Sequence, residues 1–146
     1  MSQARDLVVI TVAEQNFGVP VELVRDVLAA PAMARIPLAP AEVAGALNLR
    51  GRIVVAVDLR RRLGLPAVEL RRMCVVVEHE GELYSLLVDG IGEVLRVDGD
   101  LFEDTPSTLD PVWRRVSAGI YRLDGMLLLA LDVARTLDIR AGTEAA

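Results

Sequence analysis

Apolar residues along this chain fall into short runs rich in Val, Ile and Leu, separated by Gly, Asn, Asp and Pro. Runs of strand length broken by turn residues are the pattern of an all-β sandwich or barrel. The pattern predicts strands over Leu7–Val12, Val24–Leu28, Gly45–Leu49, Ile53–Val57, Met73–Glu78, Leu83–Asp89, Gly92–Val97, Val116–Arg122 and Met126–Leu131. Ala13–Asn16 turns the chain and Phe17–Val19 opens the return. Arg50–Gly51 and His79–Gly81 are further turns, and Leu123–Gly125 marks a hairpin because glycine supplies a positive φ. Pro31, Pro37 and Pro40 force an irregular connection, since proline fixes φ and donates no hydrogen bond. Asp58 and Asp132 are placed to cap short helices, one over Leu59–Leu63 and one ending near Leu137. Arg60, Arg61 and Arg62 sit toward the end of the first helix, where cations suit the dipole, and Gly64 and Pro66 stop it. Residues 98–112 read as a long polar loop closed by Trp113, a packing anchor, and Ala141–Ala146 as a disordered tail.

The two halves of the pattern repeat. Residues 45–63 align without a gap on residues 119–137, each pair 74 positions apart, with Gly45/Gly119, Leu49/Leu123, Gly51/Gly125, Ala56/Ala130, Asp58/Asp132, Arg61/Arg135 and Leu63/Leu137 identical. Earlier segments superpose at an offset of 67, placing Phe17 on Tyr84, Val24 on Ile91, Asp26 on Glu93, Val27 on Val94 and Leu28 on Leu95. Shared apolar patterning explains the hydrophobic matches but not the Gly and Asp matches in the same frame. The expectation is one domain over residues 1–146 built from a duplicated unit, with approximate subdomains 6–66 and 73–139. These pack as two small barrels around a shared aliphatic core.

Composition narrows the function. The chain has 146 residues, 53% of them hydrophobic but only 3% aromatic, and a net charge of −5. The acidic total disfavours a phosphate backbone as partner, and the scarcity of aromatics disfavours base stacking. A nucleic-acid-binding barrel would have to rely on Arg50, Arg52, Arg60, Arg61, Arg62, Arg71 and Arg72. The single cysteine, Cys74, sits in a buried-strand context and behaves there as a small hydrophobe. His79 has no second histidine or cysteine nearby, so no metal is expected, and neither is another cofactor. No Ser-His-Asp set or phosphate-cradling glycine loop is visible, which points away from an enzyme. No signal peptide opens the chain, and no apolar run approaches the roughly 18 residues of a membrane span. The expected location is therefore the cytoplasm.

Residues 45–60 closely resemble the CheW family, whose signature is Gly-x-x-Asn-Leu-Arg-Gly-x-Ile-x-Pro-Val-x-Asp-Leu-Arg. Here Gly45, Asn48, Leu49, Arg50, Gly51, Ile53, Asp58, Leu59 and Arg60 stand at its fixed positions. Phe17-Gly18-Val19 with Val24–Val27, the prolines Pro37 and Pro40, and Val88–Leu95 are similar to other stretches of the family, so the resemblance spans about residues 6 to 139. Val55 replaces the family's proline, which leaves the fold intact but changes local twist or edge character. The resemblance implies two SH3-like five-stranded β-barrels with short helices. It further implies a non-catalytic adaptor whose partners are the regulatory domain of a CheA-type histidine kinase and the cytoplasmic tip of a chemoreceptor, in flagellar chemotaxis or another chemosensory pathway.

Site residues follow from the same resemblance. Val24, Gly45, Asn48, Leu49, Arg50 and Val94 fall at receptor-groove positions, and Val21 and Asp26 on the kinase-facing end of the first barrel. Read as bare residues, they have other uses. Arg50, at a hairpin turn, can fork onto a partner's carboxylates or pair with an acid of its own chain. Asn48 suits backbone groups of the turn. Val24 and Val94 would pass as core valines, and Asp26 as a solvated strand charge.

Overall fold

The computed structural model describes residues 3–66 and 72–139. Arg71 and the expected tail at Ala141–Ala146 lie outside them. Among the described residues the first half forms β1 (Arg5–Val12), β2 (Gln15–Pro20), β3 (Val24–Ala29), β4 (Val43–Leu49), β5 (Arg52–Asp58) and α1 (Leu59–Arg62). The second half forms β6 (Met73–His79), β7 (Glu82–Val88), β8 (Gly90–Val97), β9 (Phe102–Glu103), α2 (Pro111–Val116), β10 (Ser117–Leu123), β11 (Met126–Leu131) and α3 (Val133–Leu137). The fold is all-β with short helices, as the alternation of apolar runs and turn residues demands.

The strands form two sheets, one ordered β8-β1-β2-β11-β10-β9 and the other β3-β6-β7-β5-β4. Replacing β3, β6, β7, β5 and β4 by β8, β1, β2, β11 and β10 turns the second order into the first five strands of the first, to which β9 adds a sixth at the edge. The irregularities repeat too. The β4–β5 register slips between Val43 and Gly45, and the β10–β11 register between Ser117 and Gly119. Each half gives its first hairpin away: β1–β2 joins the sheet of β8 to β11, and β6–β7 joins the sheet of β3 to β5. In both sheets this makes one parallel contact, β2 with β11 and β7 with β5.

The central strands are buried on both faces, which is why they read as near-continuous apolar runs rather than alternating ones. In β1, Val8, Ile10 and Val12 face a core shared between the sheets, while Leu7 and Val9 face a smaller one with Tyr121, Leu128 and Ala130. The other sheet has its own small core around Leu47, Val54, Ala56, Cys74 and Leu87. Cys74 is fully buried there, and burial pushes its thiol up. In the shared core the Phe17 and Trp113 rings lie 5.6 Å apart, and the Trp113 Nε1–H donates to the Leu63 carbonyl at 3.1 Å.

Three expectations need correction. Residues 98–112 are not a plain loop: they hold a 3-10 turn at Gly99–Leu101, the short β9, and the start of α2. Asp110 caps α2, its carboxylate accepting the Val112 N–H at 2.8 Å, and Pro111 stands in the first turn. Trp113 is thus helical, and the following strand begins at Ser117. That cap-then-proline signal was present in the sequence, but the polarity of the surrounding stretch obscured it. His79 ends β6 rather than opening the turn, whose positive φ values fall on Glu80 and Gly81.

Candidate partner-binding site

The β4–β5 turn is built to hold Arg50 outward. Arg50 and Gly51 take φ of 52° and 86°, the two positive values of a type I′ hairpin turn. The Asn48 carboxamide oxygen accepts the Gly51 N–H at 2.8 Å and braces the turn from within. The Arg50 side chain is 80% exposed, and its Nη2 lies 3.1 Å from Asp26 Oδ2. Asp26 Oδ1 also accepts the Val27 N–H. β3 and β4 are opposite edges of their sheet, and the Arg50 side chain reaches from the β4–β5 turn across to β3. Arg50 and Asp26, which the family resemblance gives to different partners, are therefore neighbours. An ion pair so exposed contributes about 0–1 kcal/mol, so a partner carboxylate can replace Asp26 with little loss.

The other sequence-derived residues divide by role. A side chain on Gly45 (φ 154°) would put its Cβ 2.6 Å from the Ala34 carbonyl oxygen, so this glycine lets the connector close onto β4. Leu49 packs against the small core of its sheet and Val24, half-buried, against the shared core. Val21 lies in the 3-10 turn between β2 and β3 and is 37% exposed. Val94 is 55% exposed on edge strand β8, in the other sheet from the rest of the set. The structure thus brings Arg50, Asn48 and Asp26 together, keeps Gly45 and Leu49 as support for that corner, and leaves Val94 on a separate sheet.

A groove of about 910 Å³ opens elsewhere, between β5, β7 and the start of β4 on one side and α3 on the other. Val43, Val55, Val57, Tyr84 and Leu137 supply its apolar lining; His79, Glu80, Arg135 and Asp138 its polar one. None of the eight residues picked from sequence lines it. Val55, the departure from the family's proline, does. It pairs with Ala46 on one side and Tyr84 on the other, so it occupies an interior ladder position where valine keeps an N–H that proline would lack.

Sequence reading missed a charged network beneath this region. Asp58 caps α1 through the Arg60 N–H, as its position predicts, but also takes Arg72 Nη2 at 2.7 Å. Arg60 forks onto Asp89, with Nε to Oδ1 at 2.9 Å and Nη2 to Oδ2 at 2.7 Å, and the Ala13 N–H donates to Oδ2 at 2.8 Å. Burial alone would raise the Asp89 carboxyl. The bonds from Arg60 and Ala13, with the charges of Arg60 and Arg72, outweigh it and hold that carboxyl below the usual range. Arg62, buried, donates to the carbonyls of Thr136 and Arg135 and so ties α1 to α3. Of the arginines a nucleic-acid reading would recruit, Arg60, Arg62 and Arg72 are committed inside the fold. The sequence signal for these pairs is only that Asp89 sits at the single-residue crossing from β7 to β8.

The match to known proteins covers nearly all of the described fold. The CheW-like domain matches residues 6–141. "Chemotaxis protein CheW" of Rhizobium meliloti is 29% identical over 131 residues, spanning 88% of this chain and 84% of the relative. That of Thermotoga maritima is 26% identical over 126 residues, spanning 86% and 82%. Among solved structures, the scaffolding protein TtCheW from Thermoanaerobacter tengcongensis superposes with a TM-score of 0.80 at 27% identity, covering 88% of this chain and 89% of that one. With both sheets, the hairpin-turn arginine and the duplicated helix caps inside one continuous match, this chain belongs to the CheW-like domain family.

Proposed function

We propose that this chain is a chemotaxis coupling adaptor, which binds the regulatory domain of a CheA-type histidine kinase and the cytoplasmic tip of a chemoreceptor and performs no chemistry of its own. The observation that carries the reading is the CheW-like match across residues 6–141, which takes in both sheets and every residue of the candidate set. Arg50, Asn48, Leu49 and Gly45, with Val24 and Val94, serve the receptor; Val21 and Asp26 serve the kinase. The protein works in the cytoplasm and reaches the membrane through its partners.

The geometry suggests how one partner is felt by the other. A receptor carboxylate that captures Arg50 releases Asp26, which lies on the kinase side of the same corner. The two partners then differ in affinity for the paired and unpaired forms, which is the requirement for one to shift the other's equilibrium. Modest single contacts suffice when many copies are linked in one assembly.

Calorimetric titration of the purified protein against the regulatory domain of the kinase encoded with it tests this. Wild type binds; Arg50→Ala still binds the kinase domain, with an affinity shifted about fivefold or more because Asp26 is left permanently unpaired, yet fails to restore receptor control in a reconstituted kinase assay. Absence of kinase binding by wild type would remove the adaptor reading.

A further inference from the structure

The connector between β3 and β4 presents a side chain that the fold does not use. Leu38 is fully exposed, at 103% of its reference area, and takes φ of 60°. That left-handed conformation suits glycine or asparagine; a leucine there is unusual. The tip is braced. Pro37 fixes the preceding residue, the Ala39 N–H donates to the Ile36 carbonyl at 3.4 Å, and the Val43 N–H to the Pro40 carbonyl at 3.0 Å. Ala34 and Ala46 exchange both backbone hydrogen bonds at 2.8 Å, which anchors the connector to β4. Leucine is thus held away from any core in a conformation that leucine disfavours.

Beside this tip lies a hollow of about 660 Å³ with Met33, Ile36 and Val43 on its apolar side and Arg35 and Arg61 on its polar side. Among the described residues no ion pair engages either arginine. Asp58, the acid in the hollow, is already held by Arg72 and by the first turn of α1. The uncompensated charge is therefore positive, on a chain whose total is −5.

We infer that the Leu38 tip and this hollow form a docking surface for a protein segment that presents apolar side chains flanked by carboxylates. Leu38 enters the partner's apolar contacts, and Arg35 and Arg61 fork onto its carboxylates. A tip already fixed in its presenting shape loses little freedom on binding. None of Val21, Val24, Asp26, Gly45, Arg50 and Val94 lines the hollow, so the inference stands independently of the coupling reading.

The test replaces Leu38 with the photo-crosslinker p-benzoylphenylalanine in the native cells and sequences the captured peptide. The expected result is one dominant peptide with aspartate or glutamate within a helical turn of the captured residue, its yield falling about tenfold or more in the Arg35→Glu, Arg61→Glu background. Capture no stronger than from a probe at exposed Glu14, a peptide without acidic residues, or an unchanged yield in the double variant overturns the inference. Leu38→Gly separates binding from architecture. It relieves the backbone, so it keeps or raises the melting temperature while abolishing binding of the captured peptide. A lower melting temperature with binding intact would make Leu38 a structural residue and end the proposal.

Discussion

At Asp89 one carboxylate serves the Arg60 fork, the Ala13 N–H and the field of Arg72, at the point where the chain leaves one sheet for the other. Its folded pKa lies below the unfolded value of about 4, so its contribution is present above that value and is lost as pH falls through the folded one. Removing one partner of a largely buried pair costs about 3 kcal/mol. Asp89→Asn is therefore expected to lower urea stability by about that amount at pH 7, with the gap to wild type narrowing below about pH 4. An equal gap at both pH values would show that the charge is not what matters. Little of this was legible beforehand. The resemblance supplied Arg50, and the Asx-turn chemistry supplied the role of Asn48. Arg60 and Arg62, in contrast, looked like dipole-suited surface cations, because their partners lie 29 and 74 residues away. A pairing across that distance leaves no local signal.

Among the elements, turns and bulges carry the specificity. Gly45 and Gly119 stand at equivalent bulges with φ of 154° and 151°, and each faces a backbone carbonyl, Ala34 or Glu103, where a Cβ would approach to 2.6 or 2.7 Å. At Gly51 the same addition meets open space. Gly45→Ala is expected to cost about 2 kcal/mol or more, because the Ala34–Ala46 pairing must open. Gly51→Ala is expected to cost only the conformational part, about 1 kcal/mol. Melting curves of the two variants check the order. The Ala13–Glu14 turn carries φ of 51° and 67° with no glycine. Glu14→Gly is expected to stabilise by up to about 1 kcal/mol, measured by denaturant titration. Strand positions were readable because their period and β-branched content are local properties. α2 was not, because its six residues are too few to show a helical period and only its cap announced it.

For the whole molecule, the decisive fact is which hairpin joins which sheet. The matching offsets of the two halves suggest two self-contained units, yet β1–β2 is flanked by β8 and β11, and β6–β7 by β3 and β5. Hydrophobic pattern fixes which face of a strand is buried but not which chain segment lies beside it. A duplicated sequence makes that choice nearly degenerate. The exchange predicts that neither half folds alone. A fragment of residues 1–66 is expected to lack a cooperative melting transition, and mixing it with residues 67–146 to restore the far-ultraviolet circular dichroism of the intact chain. A folded 1–66 fragment would contradict the exchange as the source of stability.

That exchange also governs the order of events during synthesis. β2 cannot acquire its parallel neighbour until Met126–Leu131 has been made, long after Gln15–Pro20 itself. The β1–β2 hairpin therefore leaves the ribosome with both outer edges bare, the β1 edge until Gly90–Val97 is made and the β2 edge until Met126–Leu131 is. A protein whose finished form hides its central strands spends its infancy displaying them, which makes it dependent on rapid completion of its own chain or on cellular factors that shield nascent β-edges.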